Sequence, residues 1–326
     1  MKITADQKTL AAAMKRAAKV APRKHAMSIM THVGIEFDGE TATIIANDGR
    51  QTLSQRIPAE GEPGKMTAEA DKLSRAVSGM KSGDVEIGEG YIKQGRSRLK
   101  LEHLSYEQFP QPDYDECEAV SDSATVIESM STVQHAMAHN DVRYYLNGML
   151  LSGGHTVATD GHRMAYIETG YDGPTAIIPG DAVSQIAGMG GTIKLSDRQI
   201  IVDDGESRFS SNLIEGKYPD WQRVIPKSAD RTATFERNEL VSALRTAQLG
   251  GDNVRVSISD GVAVLSNDDA HTECDCQHDG DGEVAFRAQY LVDALNQCED
   301  QVQIQFGEAN SPVLINGFAV VMPVRM

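Results

Sequence analysis

Three short stretches of this 326-residue chain carry residue types that could do chemistry. Asp160-Gly161-His162-Arg163 places an acid and a histidine close together, the ingredients of an acid–base pair. A hydrolase also needs a positioned nucleophile and an oriented base, and the chain has no Gly-x-Ser-x-Gly elbow and no reactive cysteine context. Asp-Gly is a turn signal, so a hairpin turn is expected there. His271-Thr-Glu-Cys274-Asp-Cys276-Gln-His278 holds zinc-type ligands, but the spacing is not Cys-x-x-Cys and no second half follows. Strand alternation explains it better: Thr272, Cys274 and Cys276 point inward while His271, Glu273 and Asp275 face water. Asp279-Gly-Asp281-Gly-Glu283 lacks the ligand spacing of a calcium loop and reads as a solvated acidic turn. No catalytic residue, metal or cofactor is expected.

The cations are more telling. At 100° per residue on a helix, Lys8, Lys15 and Lys19 fall on one line, while Leu10, Ala13, Met14, Ala17 and Ala21 fall opposite. Arg16 lies on the flank, and Arg23 and Lys24 follow the helix. One face is expected to pack on a sheet and the other to offer a row of positive charge. Lys72, Arg75 and Lys81 repeat the pattern more weakly. The chain as a whole carries a formal charge of −16, from 47 acidic against 31 basic residues. That balance argues against a protein that coats nucleic acid by bulk electrostatics, yet leaves room for a local positive face.

A chain of this length is expected to form two or three domains. Hydrophobic content of 40% suits a globular protein, and no apolar run is long enough to span a membrane. Four cysteines (Cys117, Cys274, Cys276, Cys298) make no disulfide framework, which fits a cytoplasmic setting, as does a first stretch without an apolar signal core.

Helices able to position these residues are expected at Ala5–Val20, Ala68–Met80, Thr125–Ala138, Gly180–Met189, Arg237–Leu249 and Ala288–Cys298. Alternating strands fill the intervals. Val33, Ile35 and Phe37 run to Asp38-Gly39, and Val254, Val256 and Ile258 run to Asp260-Gly261, each an Asp-Gly hairpin signal. Helix starts recur roughly every 50 to 60 residues, a repeat signature. The simplest reading is an α+β protein of six helix-plus-sheet units paired into three domains. The acidic, proline-bearing stretch 111–122 and a second break at 226–230 place them near 1–119, 120–229 and 230–326.

Three segments then resemble the bacterial DNA polymerase III beta subunit, the beta sliding clamps: His139-Asn140-Asp141-Val142-Arg143-Tyr144-Tyr145-Leu146-Asn147-Gly148, Ala158-Thr159-Asp160-Gly161-His162-Arg163-Met164-Ala165, and Leu213 to Pro226 around Tyr218-Pro219-Asp220-Trp221. The terminal Val320-Val321-Met322-Pro323-Val324-Arg325-Met326 is similar to that family's tail. Order and spacing match from end to end. The resemblance implies three clamp-fold domains, each two helices on antiparallel sheets, closing as a homodimeric six-domain ring without catalytic activity. Such a ring encircles duplex DNA, is opened by a clamp loader and tethers polymerases through short peptides.

By resemblance, Lys24, Asn140, Arg143, Tyr144 and Tyr145 touch DNA; helical geometry adds Lys8, Lys15 and Lys19, with Arg23 beside them. The implied peptide groove comprises Leu146, Thr159, Gly161, His162, Arg163, Met164, Pro219, Arg223, Val224, Val320, Met322, Pro323, Val324 and Arg325. Arg163 and Arg223 are expected to meet peptide carbonyls or acidic side chains. Met164 and Met326 stand where the family commonly has leucine, and Trp221 where it has tyrosine or phenylalanine. The third domain looks compact around Gly250-Gly251-Asp252 and Asn316-Gly317. The competing reading is a monomeric clamp-fold adaptor that binds partner peptides without encircling DNA.

Overall fold

The computed structural model describes residues 1–226 and 231–325. The second expected domain break falls mostly on residues 227–230, and the terminal Met326 also lies outside the described residues. Among the described residues there are six α-helices: α1 (Gln7–Val20), α2 (Ala70–Ser78), α3 (Ser123–Val133), α4 (Gly180–Ile186), α5 (Arg237–Gln248) and α6 (Ala288–Leu295). All six expected helices are present, five of them shorter at one end or both and α3 beginning two residues earlier than expected. At the starts of α1 and α2 the apolar spacing runs on into the preceding strand, so it overshoots where strand turns directly into helix. Asp6 closes the strand Lys2–Asp6 in extended conformation, and its carboxylate accepts from the N–H groups of Lys8 and Thr9. Glu236 does the same for Glu239 at α5. Each such cap satisfies helix donors that would otherwise be unpaired.

Contacts divide the chain into two compact units, Met1–Ile127 with Ser184–Leu213, and Glu128–Val183 with Ile214–Met326. The division runs through the expected central domain because consecutive thirds of the chain share sheets. In the first unit, an eight-stranded sheet joins Ser207–Asn212 to Gln51–Pro58, with Phe209 opposite Leu53. A five-stranded sheet ends on Ser97–Lys100. Leu10, Ala13, Met14 and Ala17 of α1 are buried, as are Leu73 and Val77 of α2, while Lys8, Lys15 and Lys19 are exposed. Burial of side chains the size of Leu10, Met14, Leu73 and Val77 contributes about 1.5–3 kcal/mol each, so the apolar face fixes the rotation of α1 and turns its lysines outward. The Gln7 amide donates to the Val77 carbonyl at 2.8 Å, tying α1 to α2.

In the second unit, a nine-stranded sheet orders its strands as Ala176–Pro179, Gly148–Ser152, His155–Thr159, Arg163–Glu168, Ala319–Val321, Val313–Ile315, Gln301–Phe306, Arg231–Glu236 and Gln277–Asp279. A four-stranded sheet runs His271–Asp275, Val262–Ser266, Asn253–Ser259, Gly282–Arg287. Asp260 and Gly261 both take positive φ (52° and 81°), the geometry of a two-residue hairpin turn between Ser259 and Val262. Cys274 and Cys276 are buried and His271, Glu273 and Asp275 exposed, the alternation expected of that segment.

Candidate functional site

The strand Arg163–Glu168 is where a cleft is built. It pairs on one side with His155–Thr159 and on the other with Ala319–Val321, so Thr159, Met164 and Val320 stand in one row across three strands. Leu146, from the 3-10 turn Tyr144–Leu146, joins the same apolar cluster as Met164 and Val320, with Tyr218 and Leu314. The Tyr218 hydroxyl accepts from the Thr159 N–H at 3.1 Å, and burial raises its pKa, keeping it protonated. Above this floor, the turn Trp221–Val224 supplies a wall. Trp221 packs against Tyr166 and His155, with ring centroids 5.4 and 5.1 Å away.

The result is a cleft of about 200 Å³ lined by Arg143, Leu146, Thr159, Gly161, Arg163, Met164, Pro219, Asp220, Trp221, Val224, Val320 and Met322. Nine of the expected groove residues line it: Leu146, Thr159, Gly161, Arg163, Met164, Pro219, Val224, Val320 and Met322. His162, Arg223, Pro323, Val324 and Arg325 do not. His162 stacks on Tyr290, and Arg223 pairs outward with Asp220 at 2.6 Å. The Val324 N–H donates to the Ala285 carbonyl, while the Met322 N–H donates to the His162 carbonyl. The tail thus bridges two strand systems and, among its described residues, sends Val320 and Met322 into the cleft. Trp221 and Asp220 line it without having been placed there by sequence.

Asp160, the acid of the possible acid–base pair, is a turn residue. Its carboxylate accepts from the backbone N–H groups of His162 and Arg163 at 2.8 and 3.0 Å and from Arg163 Nε at 3.1 Å. Gly161 follows at φ +88°, with its Cβ position 2.8 Å from Arg143 Nη1. A side chain there would meet both backbone strain and the arginine. Cys274 in the other chemically suggestive stretch is a buried thiol, pushed up to about 12 by desolvation, so it is not a ready thiolate ligand.

The cationic candidates separate. Lys8, Lys15, Lys19 and Lys24 are exposed on or after α1, while Arg23 shares Asp71 with Arg75 at 3.4 and 2.8 Å. Asn140 is exposed in a left-handed turn at φ 56°, and Tyr144 is exposed with its ring edge on the half-buried Tyr145. Arg143, expected beside them as a DNA contact, also lines the cleft. Its guanidinium grips Asp141 through two hydrogen bonds of 3.0 and 2.7 Å and donates to the Asp160 carbonyl at 3.0 Å. Those bonds hold the Asp141 carboxyl down at about 2.

Comparison with known proteins matches this chain to the three domain models of the DNA polymerase III beta subunit: N-terminal over residues 1–113, central over 121–220 and C-terminal over 222–321. The beta sliding clamp of Pseudomonas aeruginosa is 29% identical with both chains covered in full. That of Proteus mirabilis is 32% identical over 72% of this chain and 73% of its own length. A crystal structure of the Pseudomonas aeruginosa clamp bound to griselimycin superposes with a TM-score of 0.88 at 27% identity, covering both chains completely.

Proposed function

The chain belongs to the DNA polymerase III beta-subunit family, the bacterial beta sliding clamps, and from that premise we propose that two copies close into a ring around duplex DNA. The observation that carries the ring is a pair of free strand edges of opposite charge. The five-stranded sheet ends on Ser97–Lys100, whose four residues are all exposed and include Arg98 and Lys100, with Arg96 in the preceding turn. The four-stranded sheet ends on His271–Asp275, where Glu273 and Asp275 are exposed. An edge strand leaves a row of backbone donors and acceptors unpaired and is a template for another chain. Opposite charge selects the cationic edge of one copy for the anionic edge of the other, twice per dimer. Leu249, 88% exposed at the end of α5, adds apolar area near the second edge.

In this reading the three clamp domains span 1–119, 120–229 and 230–326, boundaries supported by the extents of the three family matches. Lys8, Lys15, Lys19, Arg23 and Lys24, with Asn140, Tyr144 and Tyr145, face the DNA. Topology rather than phosphate contact retains the duplex, which suits a chain of net charge −16. A dense basic channel would release many counterions and bind in place, whereas a sparse one lets the ring slide.

The cleft around Met164 and Val320 takes a short apolar segment of the replicative polymerase, and the clamp loader uses the same groove. A floor of Leu146, Met164, Val320 and Met322 suits this, since methionine adapts its shape to different ligands. The griselimycin-bound relative supports ligand binding by a clamp of this fold. The protein acts as a tether and not as a catalyst. The test is retention: labelled protein is loaded by a bacterial clamp loader with ATP onto nicked circular plasmid, then separated by gel filtration. Co-elution with the circle, lost when the plasmid is linearised, is the expected result. Equal retention on circle and line, or none on either, overturns encirclement.

A further inference from the structure

Two Asn-Gly pairs occur in the chain, Asn147-Gly148 and Asn316-Gly317. In this dipeptide nothing shields the asparagine carboxamide carbon from the next backbone nitrogen, because glycine has no side chain. The fold treats the two pairs oppositely. The Asn147 carboxamide is held at both ends by Asp141: its oxygen accepts from the Asp141 N–H and its nitrogen donates to the Asp141 carbonyl, each at 2.9 Å. Gly148 is buried at the start of the strand Gly148–Ser152, with its Cβ position 2.7 Å from the Ile178 carbonyl oxygen, so the backbone there has no room to close a ring. Asn316-Gly317 instead forms the turn between Val313–Ile315 and Ala319–Val321. Both residues are exposed at positive φ, 45° and 72°, and nothing lies within 4 Å of the Gly317 Cβ position. Asn316 Oδ1 accepts from the Gln303 N–H at 2.7 Å, while Nδ2 makes no hydrogen bond among the described residues. The bonded oxygen is the one that takes up charge when a nucleophile adds to the carboxamide, and a backbone donor aimed at it favours that addition. The unbonded nitrogen is the leaving group.

We propose that Asn316 is a site of spontaneous deamidation, with water as the only co-reactant, and that its isoaspartate product disturbs the strand carrying Val320. The Gly317 nitrogen, giving up its proton to solvent base, bonds to Asn316 Cγ. The Cγ–Nδ2 bond then breaks, and Nδ2 leaves with a proton as ammonia. Water opens the resulting succinimide at one carbonyl or the other, giving aspartate or isoaspartate at position 316. Aspartate keeps an oxygen for the Gln303 N–H and leaves the turn as it was. Isoaspartate moves a methylene into the main chain, within a turn closed by the Phe318 N–H donating to the Ile315 carbonyl at 3.0 Å. The added backbone atom breaks the register that sets Leu314 opposite Val320, and Val320 is also the cross-strand partner of Met164. The proposal stands on the fold alone and needs neither the ring nor the peptide groove.

In the experiment, the full chain is incubated at mildly alkaline pH, folded and in parallel in urea, then cut after glutamate. Deamidated residues are located by tandem mass spectrometry from the gain of one mass unit. In the folded protein Asn316 is expected to convert at least about tenfold faster than Asn147. In urea the two are expected to convert at similar rates, which assigns the difference to the fold. A protein methyltransferase specific for isoaspartate should label the fragment holding position 316. Asn316→Asp, the aspartate product made directly, is expected to melt with fresh wild-type protein, and aged wild-type protein below both. An Asn316 that keeps its mass in the folded protein, or converts no faster than Asn147, overturns the site. Aged protein rich in isoaspartate at position 316 that melts as fresh protein does overturns the consequence for the strand.

Discussion

Met164 and Val320 are cross-strand partners, and their pairing joins the strand Arg163–Glu168 to Ala319–Val321 within one continuous sheet. The same two side chains form the floor of the cleft. The seam that holds this part of the chain together is therefore also the floor of the proposed peptide groove, so stability and binding are expected to be coupled there.

Truncating Met164 to alanine removes a side chain that is 3% exposed. The expected loss is about 2–5 kcal/mol of stability, from transfer and cavity terms together. Peptide affinity should fall as well, because the floor recedes. Urea unfolding and fluorescence polarisation on the same preparation check both; a variant that loses stability but binds as before would separate the seam from the groove.

Gly161→Ala tests the turn. At φ +88° and with Arg143 Nη1 2.8 Å from the new methyl position, the substitution is expected to cost about 1–3 kcal/mol and to dislodge Arg143 from the Asp160 carbonyl. Asp141 would then lose part of the hydrogen bonding that keeps its carboxyl at about 2. Carboxyl titration by NMR should show Asp141 moving upward toward its ordinary value; an unmoved Asp141 would mean that Arg143 keeps its grip.

Stability should depend on pH through His135. Burial lowers its pKa in the folded chain below the ordinary 6.5, so between the two values the unfolded chain holds a proton that the folded chain does not. The contribution is complete above 6.5 and is lost as pH falls toward and through the folded value. Wild-type melting temperature should fall on acidification below that point, and His135→Gln should flatten this part of the curve. A melting temperature that rises on mild acidification would contradict the assignment.

The edge charges give a swap. Arg98→Glu with Lys100→Glu is expected to leave the protein monomeric, and adding Glu273→Lys with Asp275→Lys to restore the dimer. Raising salt should weaken wild-type association by several-fold, since exposed charges are screened beyond a Debye length of about 8 Å at physiological ionic strength. Sedimentation velocity reads both effects. Reversed edges that dimerise as well as the native ones would rule out the charge pairing.

The helices and hairpins were legible because their signals are local. Leu10, Met14 and Ala17 repeat at helical spacing, and Asp260-Gly261 fits a turn that needs two positive φ angles. The start of α1 was less so, because Asp6 is both the end of a strand and the cap of the helix. That Leu146, Met164, Val320 and Met322 come together in one cleft was legible only through family resemblance, which carries long-range information that spacing cannot. What stayed hidden was ionic. Nothing in the sequence ties Arg163 to Asp293, because an ion pair between distant segments leaves no period, and Arg143 reads as a free cation until Asp141 is seen to hold it.

The central claim is a ring made by two copies of this chain, and its most direct test is the mass in solution by light scattering during gel filtration across micromolar concentrations. The account predicts a stable species of twice the 35.3 kDa chain mass. A strict monomer at every concentration would contradict it and leave a clamp-fold adaptor that binds partner peptides without encircling DNA.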